Sequence, residues 1–214
     1  MLGLPIPLQT LDYLGVAVFA ITGALAAARS RHDVITFMAF AILTGIGGGT
    51  LRDLLIAAPV FWVHAPGYIY VCLAAAAAVW IVGERPWRSS ALAWFDAVGL
   101  AAYAVLGAAK ALAAGVPPPV AVVMGTLTAT FGGIMRDLFA GQPSVLLRRE
   151  IYITAAVLAA AVFVAATSLG LDANLAALGA FIAGFGLRAG AIALGWTLPG
   201  FAAHESHDDS MKVL

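Results

Sequence analysis

The chain has 214 residues, of which 63% are hydrophobic and 10% charged, and its mean hydropathy is +0.99. This composition excludes a soluble enzyme, because a soluble domain carries about a quarter charged residues, and it excludes a disordered chain. A net charge of zero leaves no basic face for nucleic acid, and a lone cysteine excludes a disulfide scaffold. The sequence therefore predicts an all-α membrane protein.

Apolar segments separated by polar or Gly- and Pro-rich stretches predict seven transmembrane helices. A hydrocarbon core of about 30 Å requires about 20 apolar residues in a helix. The predicted spans, in chain order, are residues 8–28, 34–56, 67–82, 91–113, 120–140, 151–169 and 174–196. The first lacks the basic segment of a signal peptide, so we expect it to remain in the mature protein.

The basic residues outside the spans predict the orientation. Seven alternating spans place all of them on one side, and basic loops favour the cytoplasm. We therefore expect the N-terminus outside and the C-terminus in the cytoplasm. The residues are Arg29, Arg31, Arg85, Arg88, Arg148, Arg149 and Lys212.

The chain matches itself at an offset of 84 residues, with 17 identities between 12–72 and 96–156, of which 13 are not alanine. The offset covers three spans, an odd number, so the second copy is predicted to be inverted in the membrane, with the functional site near the repeat interface. The single transmembrane domain then divides into a first repeat (about 11–83), a second repeat (about 91–169), a seventh helix (about 174–197) and a polar tail (202–214).

Both repeats carry a glycine cluster followed by Arg-Asp. Glycine destabilises a helix interior, so the clusters predict a bend or break, and freed carbonyls at membrane depth can replace the hydration shell of a cation. The alternative is that the glycines only allow close helix packing. The predicted pore and hinge residues are Gly47, Gly48, Gly49, Gly132 and Gly133.

Charged residues inside the spans are costly and therefore candidates for function. Arg52, Asp53, Arg136, Asp137 and Lys110 are predicted to brace the bends or to gate, with helix anchoring or lipid binding as alternatives for Lys110. Neighbouring residues on a helix do not face each other, so Arg52 is expected to pair with a group other than Asp53. Asp12 and Asp96 are interpreted as helix N-caps, with a role in the pore as the alternative. Asp33 and Asp172 are interpreted as caps or loop residues, and Arg188 is a further basic residue within a span, without a specific role.

Two copies of Gly-Gly-x-x-Arg-Asp at this offset, with a closing Arg188…Trp196-x-Leu-Pro199, resemble the prokaryotic branch of the trimeric intracellular cation channels (TRIC). The resemblance implies a homotrimer in the inner (plasma) membrane of a prokaryote, in contact with membrane lipids. It implies passive conduction of K⁺ and Na⁺ through one path per protomer, lined by the glycine-bent second and fifth spans. The sequence contains no motif for hydrolase, zinc-protease or ATP-driven chemistry, so no enzymatic activity, cofactor or metal is expected. Phe131 departs from the pattern, because the first copy has Gly47 there. A secondary transporter of a small zwitterion such as glycine is the alternative.

Overall fold

The computed structural model describes residues 6–83 and 90–199, and within them the chain forms seven α-helices. The all-α class is thus confirmed, and each predicted span agrees with a helix to within two residues at either end. The helices are α1 (Ile6–Arg29), α2 (Val34–Leu55), α3 (Gly67–Val82), α4 (Ala91–Ala113), α5 (Pro118–Phe139), α6 (Ile153–Ser168) and α7 (Ala173–Leu194), with a 3₁₀ turn at Val145–Leu147.

Five of these helices, α1, α2, α4, α5 and α7, are long and apolar enough to cross a membrane. α3 and α6 are equally apolar in character but have 16 residues each, which corresponds to only about 24 Å of helix. The chain is a membrane protein with several spanning helices. The polar tail at 202–214 and the basic residues Arg85, Arg88 and Lys212 lie outside the described residues.

α1 and α4 lie at the centre of the bundle. They pack against each other, α2 and α3 pack on α1, and α5 and α6 pack on α4, while α7 contacts α4 and α6. Small residues bring the two central helices together: Gly15 of α1 faces the ring of Tyr103, and Gly99 of α4 faces the ring of Phe19. Each residue of the first contact lies 84 positions from a residue of the second, so the two contacts are equivalent.

Two of the aspartates are helix caps, as the sequence indicated. Asp33 accepts a hydrogen bond from the Thr36 backbone N–H at the start of α2, and Asp172 accepts one from that of Asn174 at the start of α7. The same interpretation is wrong for Asp12 and Asp96. Both lie beyond the first turn of their helices and are buried, so their carboxylates take part in the interior interactions described below.

Candidate functional site

α2 and α5 cross so closely that their backbones touch at two glycines. A Cβ atom on Gly48 would collide with the carbonyl oxygen of Thr128, and one on Gly132 would collide with that of Thr44. The contact partners step forward along α2 and backward along α5, so the two helices are antiparallel. Each residue of one contact again lies 84 positions from a residue of the other. We refer to these four residues as the crossing.

The glycine clusters do not break their helices, and that part of the sequence prediction is wrong. α2 is a continuous α-helix through Gly47, Gly48 and Gly49, and α5 is continuous through Gly132 and Gly133. The physical reason is that the missing Cβ atoms admit a neighbour. At the crossing that neighbour is the other helix, and at Gly49 it is the ring of Phe61.

Gly47 differs from the other glycines of the two clusters because it leaves space beside it. A Cβ atom there would meet only the Phe131 side chain, at 3.9 Å, which is ordinary van der Waals contact. Both residues are half-buried. Since Phe131 is the counterpart of Gly47 in the second repeat, this pair lies where the two halves meet.

Arg52 is buried on one side of the crossing, and it pairs with its own neighbour. Its Nε and Nη2 atoms donate to Oδ1 of Asp53 at 2.8 and 2.6 Å. The expectation that Arg52 pairs elsewhere is therefore wrong, because the long arginine side chain folds back along the helix to reach a carboxylate one residue away. Its Nη1 is buried without a hydrogen-bond partner among the described residues.

Asp12 and Lys110 lie close to this arginine. The Lys110 Nζ donates to Asp12 Oδ2 at 3.0 Å, lies 4.9 Å from the centroid of the Phe61 ring, and interacts electrostatically with Arg52. The Tyr68 hydroxyl donates to the same Asp12 oxygen at 2.9 Å. Oδ1 of Asp12 is buried and has no partner within the described part of the chain. Asp12, Arg52, Asp53, Tyr68 and Lys110 form the first charge cluster.

Arg136 is buried on the other side of the crossing, and its side chain is more fully paired. Its Nη1 donates to Asp96 Oδ1 at 2.6 Å and to the Thr22 hydroxyl at 3.3 Å, and its Nε donates to Asp137 Oδ1 at 2.9 Å. Thr22, Asp96, Arg136 and Asp137 form the second charge cluster. In this cluster the arginine binds Asp96, whereas the equivalent aspartate of the first cluster, Asp12, is bound by Lys110.

The aspartate that follows each arginine also holds the next loop. Oδ2 of Asp53 accepts from the Phe61 backbone N–H, and Oδ2 of Asp137 accepts from that of Val145, each at 3.0 Å and eight residues away. Each Arg-Asp pair thus links a buried guanidinium to the loop that leaves its helix. The prediction that these aspartates brace the bends or gate did not include this second contact. Pro59 and Pro143, which lie 84 residues apart in the two loops, are the sequence signal that the loops are equivalent.

A cavity of about 340 Å³ opens where α1 and α5 end and α4 begins, and Asp96, Arg136 and Asp137 of the second charge cluster line it. It is rich in charges of both signs, with four arginines and three carboxylates. The sequence did not single out this cavity, because its wall comes from four separated segments. The charged lining residues are Arg29, Asp96, Arg136, Asp137, Arg148, Glu150 and Arg188.

The sequence model of the protein family described as "Glycine transporter" matches residues 9–84 and 93–168. Its two matches begin and end 84 residues apart, at the offset of the internal repeat. The chain belongs to this family. A Vibrio cholerae relative named "UPF0126 membrane protein" is 36% identical over 201 residues, covering 91% of this chain and 83% of that protein.

Solved structures agree with this assignment and with the resemblance to TRIC. The TRIC trimeric intracellular cation channel orthologue from Rhodobacter sphaeroides has 45% sequence identity and a TM-score of 0.87, covering 90% of this chain and 100% of that one. A TRIC channel from Caenorhabditis elegans has 18% identity, a TM-score of 0.61 and coverage of 86% and 90%, and shows that the fold is shared. The resemblance to TRIC is confirmed, and the family relationship also agrees with the prediction that the chain is not an enzyme.

Proposed function

We propose that the protein is a passive channel for monovalent cations, K⁺ and Na⁺, with one path in each protomer of a homotrimer. The observation that carries this proposal is the crossing of α2 and α5, which has a buried, neutralised arginine on either side of it. A protein with 45% identity and a TM-score of 0.87 is a TRIC cation channel. In this chain, we place the ion path at the crossing of α2 and α5.

The proposal includes an inverted repeat, with residues 11–83 and 91–169 related by a pseudo-two-fold axis. Two pairs of equivalent contacts support it. Between α2 and α5, the contact of Gly48 with Thr128 corresponds to that of Gly132 with Thr44. Between α1 and α4, the two glycine–aromatic contacts correspond in the same way. An axis of this kind passes near the pair formed by Gly47 and Phe131. The N-terminus lies outside and the C-terminus in the cytoplasm, so the cavity is the cytoplasmic entrance.

The arginines are proposed to brace the path and to leave its cation preference to other groups. Arg52 pairs with the buried carboxylate of Asp53, and Arg136 pairs with the carboxylates of Asp96 and Asp137. Their positive charges are therefore largely cancelled at short range. Lys110 is more exposed, with 15% of its side chain accessible, and is the proposed gating charge.

Because the helices are continuous, carbonyls freed by a break do not supply oxygen to the ion. The Thr44 hydroxyl is a better candidate, since it makes no hydrogen bond within the described residues and lies at the crossing, next to Gly23 of α1. A hydroxyl or carbonyl oxygen can replace part of a cation's hydration shell. We infer that the ion passes the crossing on the side of Gly47 and Phe131.

Gly47→Phe tests this path. The structure has room for a Cβ atom at this position, so the variant is expected to assemble while its ring narrows the path, and unitary conductance of the purified protein in planar bilayers should fall strongly. Leu54→Phe, at an exposed position of the same helix, is the matched control. Gly48→Leu is unsuitable, because its first side-chain atom already meets the α5 backbone. If Gly47→Phe conducts like the wild type, the path does not pass this pair.

Arg136→Ala separates bracing from ion contact. We expect altered gating with an unchanged K⁺ to Cl⁻ permeability ratio, because the guanidinium is held by carboxylates. A change confined to that ratio would show that the arginine faces the ion.

A secondary transporter of a small zwitterion is the second candidate. The description of the matching family favours it, and so does the cavity, whose arginines and carboxylates could face a carboxylate and an ammonium group. The same recordings decide between the two functions. A carrier turns over too slowly to give unitary currents, so saturable uptake of labelled glycine without unitary events would support transport and overturn the channel.

A further inference from the structure

Arg188 lies on α7, outside both repeats, and is buried. Its guanidinium reaches the α5–α6 loop (residues 140–152), where Nη2 contacts Glu150 Oε2 at 2.7 Å and Nη1 donates to the Ile151 carbonyl at 3.3 Å. The same guanidinium lies 5.2 Å from the centroid of the Tyr152 ring. One side chain of α7 therefore binds three consecutive residues of this loop.

Tyr152 connects this contact to the second charge cluster. It is 1% exposed, and a Cβ atom on Gly133 would lie 2.6 Å from its hydroxyl oxygen, 3.5 Å from Asp96 Oδ1 and 3.7 Å from Arg136 Nη2. The tyrosine hydroxyl thus rests against α5 at the residue where the second glycine pair ends, next to the buried arginine. A displacement of the α5–α6 loop would carry Tyr152 away from this position.

The segment after α7 holds the other edge of the loop. Thr197 forms an isolated antiparallel bridge with Glu150, and the Leu198 backbone N–H donates to the Arg149 carbonyl at 2.9 Å. The α5–α6 loop is therefore fixed by the seventh helix and by the chain that follows it. The loop also supplies Arg148 and Glu150 to the wall of the cavity.

The first repeat supports its equivalent tyrosine in another way. Tyr68 stacks on Tyr13 of α1 with ring centroids 4.1 Å apart, meets the edge of Phe61, and donates to Asp12. These contacts come from the same repeat. In the second repeat, Arg188 provides support from outside it.

We propose that Arg188 is a positioning residue of the channel, which holds the α5–α6 loop and Tyr152 against Gly133 and thereby keeps the second charge cluster in its conducting arrangement. The proposal rests on the channel function proposed above. The planar guanidinium binds a carboxylate and a carbonyl at once, which a lysine ammonium at the same position cannot do with the same geometry.

The first measurement reports the loop and does not depend on conduction. A spin label is attached at Leu147→Cys, an exposed loop position, while the native Cys72 is buried, and labelled protein without the new cysteine gives the background. We expect the immobilised component of the spectrum to be lost in Arg188→Gln and Arg188→Lys. The control is Arg149→Gln, a loss of charge in the same loop at an exposed side chain that does not line the cavity, and it should keep the wild-type spectrum.

The second measurement is single-channel recording of the same variants as trimers. Arg188→Gln is expected to shorten openings and lower the open probability while the unitary conductance of each opening is retained. An unchanged spectrum and unchanged openings in Arg188→Gln would overturn the proposal, and so would an equal effect of Arg149→Gln, which would point to loss of charge alone. If the wild type gives no unitary currents, the channel function fails, and the spin-label comparison still decides whether Arg188 fixes the loop.

Discussion

Arg52 and Arg136 occupy equivalent positions 84 residues apart, and the structure leaves 1% of the first and 5% of the second exposed. Both pair with the aspartate that follows them, and both of these aspartates hold the next loop. The difference lies in the aspartate of the preceding central helix. Asp96 binds Arg136 directly, whereas Asp12 binds Lys110 and Tyr68.

This difference follows from one substitution between the repeats. The counterpart of Lys110 in the first repeat is Ala26, so the second charge cluster has one cation and the first has two. In the first cluster the lysine takes the carboxylate, and one atom each of Arg52 and Asp12 remains unpaired among the described residues. The same scaffold therefore carries a fully connected cluster on one side of the crossing and an incompletely connected one on the other.

The largest expected effect is the loss of the better-paired arginine. Arg136→Met leaves Asp96 and Asp137 facing each other without a cation, which for a buried pair costs about 3–5 kcal/mol. Arg52→Met should cost less, because Lys110 remains close to the carboxylates it leaves behind. Thermal unfolding of the purified variants in mild detergent should give a lower midpoint for Arg136→Met than for Arg52→Met. A lower midpoint for Arg52→Met than for Arg136→Met would contradict the conclusion that Arg136 is the better-paired arginine.

The crossing should respond equally on its two sides. Gly48→Ala and Gly132→Ala each force a Cβ atom into a backbone carbonyl of the other helix, and overpacking of this kind costs about 1–3 kcal/mol. Gly47→Ala is the matched control, because its Cβ atom fits and alanine is about 1 kcal/mol better than glycine in a helix. The unfolding midpoints of Gly48→Ala and Gly132→Ala should fall by similar amounts, and that of Gly47→Ala should be unchanged or higher. A large difference between Gly48→Ala and Gly132→Ala would contradict the equivalence of the two contacts.

Sequence reasoning placed the helices well because each is a long apolar segment between polar or Gly- and Pro-rich stretches. The repeat also singles out Arg52 and Arg136 as an equivalent pair, and the structure buries both of them. Sequence reasoning failed on their partners. Spacing rules for short side chains do not describe an arginine that folds back on its neighbour, and no local pattern shows that Lys110 and Asp12 meet, because they lie on different helices.

The glycines show a second limit of the sequence. A cluster of glycines predicts either a weakened helix or a close neighbour, and the choice depends on what packs against it. At Gly48 the neighbour is the backbone of α5, which comes from a segment 80 residues away in the sequence. The part of the site built by α7, through Arg188, was invisible for the same reason, since nothing in the repeat points to the helix outside it.

A smaller effect is expected at the ion pair that distinguishes the first cluster. In a double-mutant cycle with Lys110→Met and Asp12→Asn, the coupling free energy should be positive but smaller than that of Arg136→Met with Asp96→Asn. The lysine side chain is 15% exposed and that of Arg136 is 5% exposed, and Tyr68 still donates to Asp12 when the lysine is removed. Contacting residues couple by about 0.5–3 kcal/mol, so unfolding midpoints of the four variants in each cycle can resolve the order. Equal couplings would remove the distinction between the clusters.

The smallest effect concerns the starts of the two crossing helices. α2 begins at Asp33, whose carboxylate accepts from the Thr36 N–H, and α5 begins at the equivalent Pro117, which has no side-chain cap. The Thr36 hydrogen bond lowers the pKa of Asp33 below its usual value. The folded-state pKa lies below the unfolded one, so the stabilisation is present above the unfolded pKa and is lost as the pH falls through the folded one.

Asp33→Ala should therefore lower the unfolding midpoint slightly at neutral pH and converge with the wild type in acid, whereas the effect of Pro117→Ala should not change with pH. A difference between Asp33→Ala and the wild type that persists in acid would show that the charged cap does not stabilise α2.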